Sequence, residues 1–306
     1  MRVREKAVAS RSDLYTVLDA YLAALSTKDP SLAPIAPHAF NTENNVALSV
    51  GDGLWNTITA KHDYDLRFAE AARGQVAVFT AVEETDALNP ACIRLEISGD
   101  QIVGIETVVA RNKDEGFPFG PQRFDRKRVM EALVADEARS SREELVRVAD
   151  GYFETIERND GTINTKFWPH CNRVENGVQT TNNEDFPLPV ARLGCEEQFA
   201  LGWYRYDDDL RARRFPLVDT ERGIVLAYGF IDHSGRLGEY ELTDGTKASS
   251  PVRRPHSYYL AEAFRIRDGA IEQVEANFLT VPYRMPSPWD GRDEALSGGE
   301  GLHRVA

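Results

Sequence analysis

Two arginines, a histidine and two tyrosines crowd one short stretch, Arg253-Arg254-Pro255-His256-Ser257-Tyr258-Tyr259. An imidazole titrates near neutral pH and can act as general acid or base. A guanidinium beside it can hold a phenolate or alkoxide as the charge develops. Strand alternation sets His256, Tyr258, Leu260, Glu262 and Phe264 on one face, with Ser257, Tyr259, Ala261 and Ala263 on the other. His233 follows the apolar run 224–231. His170 has Trp168, Asn172 and Arg173 beside it, the mixture of aromatic wall and polar groups that lines ligand pockets. His170, His233, His256, Arg253 and Arg254 are therefore the candidate catalytic residues. Trp168, Arg173, Trp203, Asp219, Tyr228 and Tyr258 are the candidates for touching a substrate. The competing reading of the Arg-Arg-His stretch is a solvated strand end with ordinary salt bridges. Asp219, in RRFPLVDTERG (213–223), either caps a turn or orients a histidine, and both stay open.

Other polar residues read as structural. His38 follows a proline, as His170 does, and the repeated Pro-His pair is expected to be a corner whose imidazole bonds a backbone carbonyl; His62 and His303 lie in charged or tail contexts. The repeated pairs Glu43-Asn44 and Glu175-Asn176 are expected to hydrogen-bond neighbouring strands. Asp207-Asp208-Asp209 reads as a solvated charge run, because consecutive carboxylates point in different directions and no histidine sits at ligand spacing. Gly51-Asp52-Gly53 lacks the lysine or glycine spacing of a nucleotide-binding loop. Cys92, Cys171 and Cys195 are too dispersed for a metal knuckle or a disulfide framework. No metal and no cofactor is expected.

These residues need elements to position them, and the chain supplies the elements twice. Pro37-His38 and Glu43-Asn44 recur as Pro169-His170 and Glu175-Asn176; LDAYLAAL (18–25) recurs as ADGYFETI (149–156). RGQVAVFTAV (73–82) recurs as RGIVLAYGFI (222–231), and RLEISGDQIVGIE (94–106) as FRIRDGAIEQVE (264–275). The second copy carries insertions. Each copy begins with an amphipathic helix, through Leu14, Leu18, Tyr21 and Leu25 or Leu145, Val148, Tyr152 and Ile156. Ser12-Asp13 and Ser140-Ser141 are the expected caps, the latter with Glu144. A second helical segment follows at 54–58 or 195–201. Strands at 76–82 or 224–231 come next, then a hairpin turning at Gly99-Asp100 or Asp268-Gly269. Helices followed by an antiparallel sheet make an α+β class.

At these residues the chain resembles the NTF2-like superfamily, over residues 12–111 and 141–285. NTENNVALSVGDGLW, HCNRVENGVQTTNN and EAFRIRDGAIEQVEANFLTVPYRMPSPW look like a tandem NTF2-like (SnoaL-like) family of uncharacterised function. The resemblance implies two cone domains, each a curved antiparallel sheet with helices on its concave side. Residues 1–111 would be a scaffold copy, 112–140 a connector, 141–285 the copy with the active pocket, and 286–306 a loosely packed tail. One branch of the superfamily comprises cofactor-independent lyases that release formaldehyde from lignin-derived diaryl propanoids, so a lyase on a hydrophobic aromatic molecule is the expected function. A binding module that sequesters such a ligand is the alternative, and dehydratase, isomerase and hydrolase activities remain open on this fold.

Composition narrows the partners. The 306 residues carry 36 Lys and Arg against 49 Asp and Glu, a net charge of −13 that disfavours nucleic acid. No apolar run reaches the length of a membrane span, and the start lacks the apolar core of a signal peptide. A cytoplasmic protein with a small aromatic substrate is expected, a homo-oligomer being among the arrangements left open.

Overall fold

A computed structural model describes residues 10–111, 118–120 and 128–292; His303 and positions 116, 117 and 121 of the GFPFGP motif lie outside them. The first half runs α1 (Arg11–Thr27), β1 (Ile35–Glu43), β2 (Val46–Ala47), α2 (Leu54–Thr57), β3 (Ile58–Lys61), β4 (Leu66–Glu70), β5 (Gln75–Glu84), β6 (Ala87–Ser98) and β7 (Gln101–Val109). After α3 (Arg128–Glu131), the second half runs α4 (Arg142–Arg158), β8 (Phe167–Glu175), β9 (Val178–Gln179), α5 (Cys195–Ala200), β10 (Asp209–Asp219) and β11 (Ile224–His233). A small hairpin, β12 (Glu239–Glu241) and β13 (Lys247–Ser249), precedes β14 (His256–Arg267) and β15 (Ala270–Val281).

The first helix starts two residues earlier than its expected cap. The Ser10 hydroxyl accepts from the Asp13 amide while Asp13 receives the Ser10 amide, a reciprocal box that satisfies two orphan donors. Ser141 and Glu144 close the same box on α4, as their spacing predicts. The buried stripes of both helices, Leu14, Leu18, Tyr21 and Leu25 and then Leu145, Val148, Tyr152 and Ile156, face a sheet.

The fold is α+β with two curved sheets. One has the order β2-β1-β7-β6-β5-β3, with β4 also on β5; the other reads β9-β8-β15-β14-β11-β10. Matched in sequence order, the two paths are the same. Neither sheet is wholly antiparallel, which corrects the expectation: β1 lies parallel to β7 and β8 parallel to β15. The meander β5-β6-β7 reverses direction twice before its last strand reaches β1, and it arrives pointing the same way as β1. The conserved-by-repetition asparagines hold that parallel seam. Asn44 and Asn176 both sit at positive φ, and each exchanges two hydrogen bonds with the last strand, at Val109 and at Phe278. Asn tolerates the left-handed conformation better than most residues, and its amide supplies both a donor and an acceptor.

Strand alternation divides each sheet between two cores. Val76, Val78 and Val82 pack under α1, and Val225, Ala227, Leu260 and Phe264 pack under α4. The intervening residues Ala77, Phe79, Cys92, Leu226, Tyr228, Phe230, Tyr259 and Ala261 form a third core where the sheets meet face to face. The result is helix, sheet, sheet, helix. No described helix is long and apolar enough to cross a membrane.

The described part of the tail is not loose. After β15 the chain crosses to the first sheet, where Trp289 is 1% exposed. Its indole donates to the Thr42 hydroxyl at 3.0 Å, meets Phe40 edge-on and lies under the Arg94 guanidinium at 4.6 Å. Asn45 binds the Pro286 carbonyl at 2.7 Å nearby. Trp289→Ala should therefore lower unfolding free energy by about 3–5 kcal/mol in a urea titration, the cost of emptying a large aromatic site. An unchanged midpoint would mean the strap contributes nothing to the fold.

Candidate active site

β11 and β14 end side by side, and their register pairs His233 with His256. Both point to the helix-covered side, which alternation assigns to Val225, Ala227 and Ile231 on one strand and to Tyr258, Leu260 and Phe264 on the other. The two imidazoles stack with centroids 4.7 Å apart and planes 16° apart. Tyr258 stands edge-on to both, at 4.7 Å from His233 and 5.0 Å from His256, and Tyr206 lies over the other side of His233 at 6.2 Å.

His233 is 1% exposed. Its Nε2 is 2.9 Å from Asp207 Oδ1, while its Nδ1 is buried with no hydrogen-bond partner among the described residues. A carboxylate on Nε2 fixes the proton there and leaves Nδ1 as the lone-pair nitrogen, the arrangement that prepares an imidazole to take a proton. Burial raises the Asp207 carboxyl above its ordinary range, and the hydrogen bond and charge of His233 oppose that rise. His256 is oriented differently. Its Nδ1 lies 2.9 Å from the Arg254 carbonyl, which can only accept, so Nδ1 carries the proton and Nε2 is the basic nitrogen.

Asp207 is not among the sequence candidates, because three consecutive carboxylates read as solvated charge, yet it is the residue that holds His233. The three carboxylates do point in three directions: Asp207 to His233, Asp208 to the Ser234 amide and Asp209 to Arg284. Only Asp207 is buried, at 8% exposure. A turn ahead of β10 drops it beneath the neighbouring strand, and no local spacing announces that.

Deeper under α4 lies a second polar group. Arg173 is buried on β8; its guanidinium donates to Gln198 at 2.8 Å and to the Tyr204 hydroxyl at 2.5 Å and lies 3.2 Å from Glu175. Tyr204 meets Tyr206 edge-on at 6.1 Å, linking this group to the histidines.

The remaining candidates lie elsewhere. His170 is 62% exposed, 3.5 Å from Glu272 and beside Trp168, on the strand farthest from β11 in its sheet apart from the two-residue β9. Trp168 donates to the Arg267 carbonyl and is covered by the Arg267 guanidinium at 4.0 Å. The Arg253 side chain is exposed and holds the Leu237 carbonyl and the Ser249 hydroxyl; Arg254 is exposed and meets His256 through its backbone. Tyr228 faces the opposite sheet, against Cys92, Arg94 and Arg214. Asp219 caps its turn through the Arg222 amide and receives Arg11 from the first half, at 2.5 and 2.8 Å. Trp203 is half-buried and its carbonyl accepts from Tyr240. Of the eleven residues singled out, His233, His256 and Tyr258 meet, with Arg173 in the deeper group.

A separate cleft of about 410 Å³ opens where Tyr15, Asp65, Arg67, Glu131 and Arg222 converge. Its arginines are engaged, Arg67 with Asp65 and Asp19, and Arg222 with the Arg67 carbonyl. Proton-transfer geometry is found at the histidine pair, not here.

Fold and site together describe an α+β protein of two curved sheets whose second half carries an Asp-His pair. Residues 138–278 match the family described as a domain of unknown function (DUF8021). Among solved structures the chain is similar to a protein of unknown function with a cystatin-like fold from Methylobium petroleophilum PM1, with 16% identity over 36% of this chain and 84% of that one and a TM-score of 0.29. It is similar also to a de novo designed protein with a curved β-sheet, with 16% identity, 33% and 87% coverage and a TM-score of 0.27. The third is the C. albicans Mtr2–Mex67 M domain complex, with 12% identity, 45% and 98% coverage and a TM-score of 0.25. No curated protein matches the chain.

Proposed function

We propose that the second half is a cofactor-independent acid/base lyase for a hydrophobic aromatic small molecule, built as one of two tandem NTF2-like cones. The single observation that carries this reading is the buried His233, held through Nε2 by Asp207 and presenting an unpartnered Nδ1. In the concrete form implied by the resemblance, a benzylic hydroxyl takes a proton from the acid and leaves as water while the para-phenol gives up its O–H proton to solvent, which yields a quinone methide. A base then removes the terminal hydroxyl proton. The carbon–carbon bond breaks, formaldehyde departs, and the electron pair restores the aromatic ring of a stilbene. His233 Nδ1 is assigned as the base. His256, protonated on Nε2 when it is imidazolium, is assigned as the acid at the benzylic hydroxyl. Tyr206 and Tyr258 supply ring faces for the substrate.

The same four rings favour a second reading, a module that stacks a flat ligand without turning it over. A panel of aromatic diols, with formaldehyde as readout, tests both: release supports the lyase, and tight binding without release replaces it with the carrier. Activity should survive extensive chelation; restoration by zinc or magnesium after chelation would overturn the metal-free mechanism.

A further inference from the structure

Cys171 and Cys195 meet in the core under α4, although 24 residues separate them in the chain. That separation is why their spacing in the sequence announces no pair. Cys171 lies on β8 and Cys195 opens α5, and they are 1% and 2% exposed. The Cys195 thiol donates to the Cys171 carbonyl at 3.2 Å, and the two thiols interact directly as well. Asn182 reaches the same carbonyl at 3.4 Å, so the segment leading into α5 is fastened to β8 at this point. Burial opposes ionisation of Cys195, but contact with Cys171, the charge of Arg173 and the Thr181 hydroxyl outweigh it and bring this thiol below its ordinary range. The same contact, together with burial, pushes Cys171 up. The histidine mechanism uses neither sulfur. Cys92, the third cysteine, sits apart from them between the sheets, against Tyr228.

We propose that Cys171 and Cys195 form a reversible dithiol–disulfide couple that takes a small hydroperoxide as its oxidant. The Cys195 thiolate attacks a peroxide oxygen, the O–O bond breaks, and a sulfenic acid forms as the other oxygen leaves, as water when the oxidant is hydrogen peroxide. The Cys171 sulfur then displaces the sulfenic hydroxyl, which departs with the Cys171 proton as a second water. One S–S bond replaces two S–H bonds, and the two electrons given up by the sulfurs reduce the peroxide. Access comes through α5. Its six residues make a helix that is marginal on its own and depends on packing, so its local opening bares Cys195. The closed disulfide pins the first turn of α5 to β8 and keeps Gln198 of that helix against Arg173, which it meets at 2.8 Å.

The full chain is treated with hydrogen peroxide under native conditions, alkylated with iodoacetamide in denaturant, digested with trypsin and mapped by mass spectrometry. Cleavage after Lys166, Arg173, Arg192 and Arg205 puts the two cysteines on separate peptides, 167–173 and 193–205. The expected product is these peptides joined, two hydrogens lighter than their sum, with Cys92 still alkylated. Dithiothreitol before alkylation should return both peptides to the alkylated form. The joined protein should also melt at a higher temperature than the reduced one, because the link restricts the unfolded chain. Full alkylation of all three cysteines after peroxide would overturn the proposal. So would a link through Cys92, a link that forms only after unfolding in urea, or sulfinic acid on either cysteine in its place. A joined form that melts no higher than the reduced one would likewise count against a bond that fits the native packing.

Discussion

His233→Ala should lower turnover of a competent aromatic substrate by about 10²–10⁴-fold, the usual contribution of one positioned acid or base. Affinity should change little, because the proton acceptor acts mainly in the transition state while ring contacts hold the ground state. Asp207→Asn should fall in the same direction with a smaller loss: an asparagine amide can still occupy the 2.9 Å contact, but it carries no charge to stabilise an imidazolium and can enforce the wrong tautomer. His170→Ala is the control. Its side chain is 62% exposed and lies 3.5 Å from Glu272, across the sheet from His233, so the rate should stay at the wild-type level. Steady-state kinetics on the three variants, with circular dichroism to verify folding, decides the assignment. Wild-type turnover by His233→Ala would remove the Asp-His pair from the mechanism.

A stability loss as large as that of Trp289→Ala should come from Glu106, which lies between the sheets and is fully buried. Arg94 reaches it at 2.7 Å from the same sheet, Arg214 at 2.5 Å from the other, and the Tyr259 hydroxyl donates to it at 2.5 Å. Glu106→Ala would leave two guanidiniums, 1% and 9% exposed, sharing a site without this carboxylate. Breaking a buried pair by removing one partner costs about 3–5 kcal/mol, and the loss should appear as a lower urea midpoint. Glu157→Ala removes one of two carboxylate partners of Arg213, at a side chain that is 41% exposed, and should cost only ~0–1 kcal/mol. Similar midpoints for both variants would show that the inter-sheet network does not hold the halves together.

The repeat of Glu106 is Glu275, and it performs the mirror duty with a different partner, accepting the Tyr64 hydroxyl at 2.6 and 2.7 Å. The last strand of each sheet thus offers one glutamate to a tyrosine of the other half, Tyr259 on β14 or Tyr64 in the segment between β3 and β4. The position is preserved between copies, while Arg94 stands opposite Glu106 and Ala263 opposite Glu275. The two halves thus share a strand path, while the side chains across the interface differ between them.

What the sequence determined by itself was local in origin. A stripe of apolar residues fixes a helix and the face it buries, as Leu14 to Leu25 and Leu145 to Ile156 do. Turn chemistry fixes a hairpin, as at Gly99-Asp100 and Asp268-Gly269. Alternation correctly separates His256, Tyr258 and Glu262 from Tyr259 and Ala261, because successive side chains of a strand must point to opposite faces. Repetition of Glu-Asn likewise marked a structural duty, which Asn44 and Asn176 carry out at the parallel seams.

What only the tertiary structure decided depends on contacts between distant segments. Alternation says which residues share a face, but not whether a helix or a second sheet covers it, so Tyr228 read as a pocket wall and lies between the sheets. Asp207 meets His233 across 26 residues because β10 pairs back onto β11, and that register is set by long-range pairing. His170 shares a sheet with His233 but stands across it, since sequence proximity to an aromatic residue carries no information about strand order. Trp289 is held by Thr42, Phe40 and Arg94, none of them nearby in the chain, and so its burial has no local signature. Side-chain period and turn geometry are properties of a few consecutive residues; the meeting of an acid with a base is a property of the packed whole.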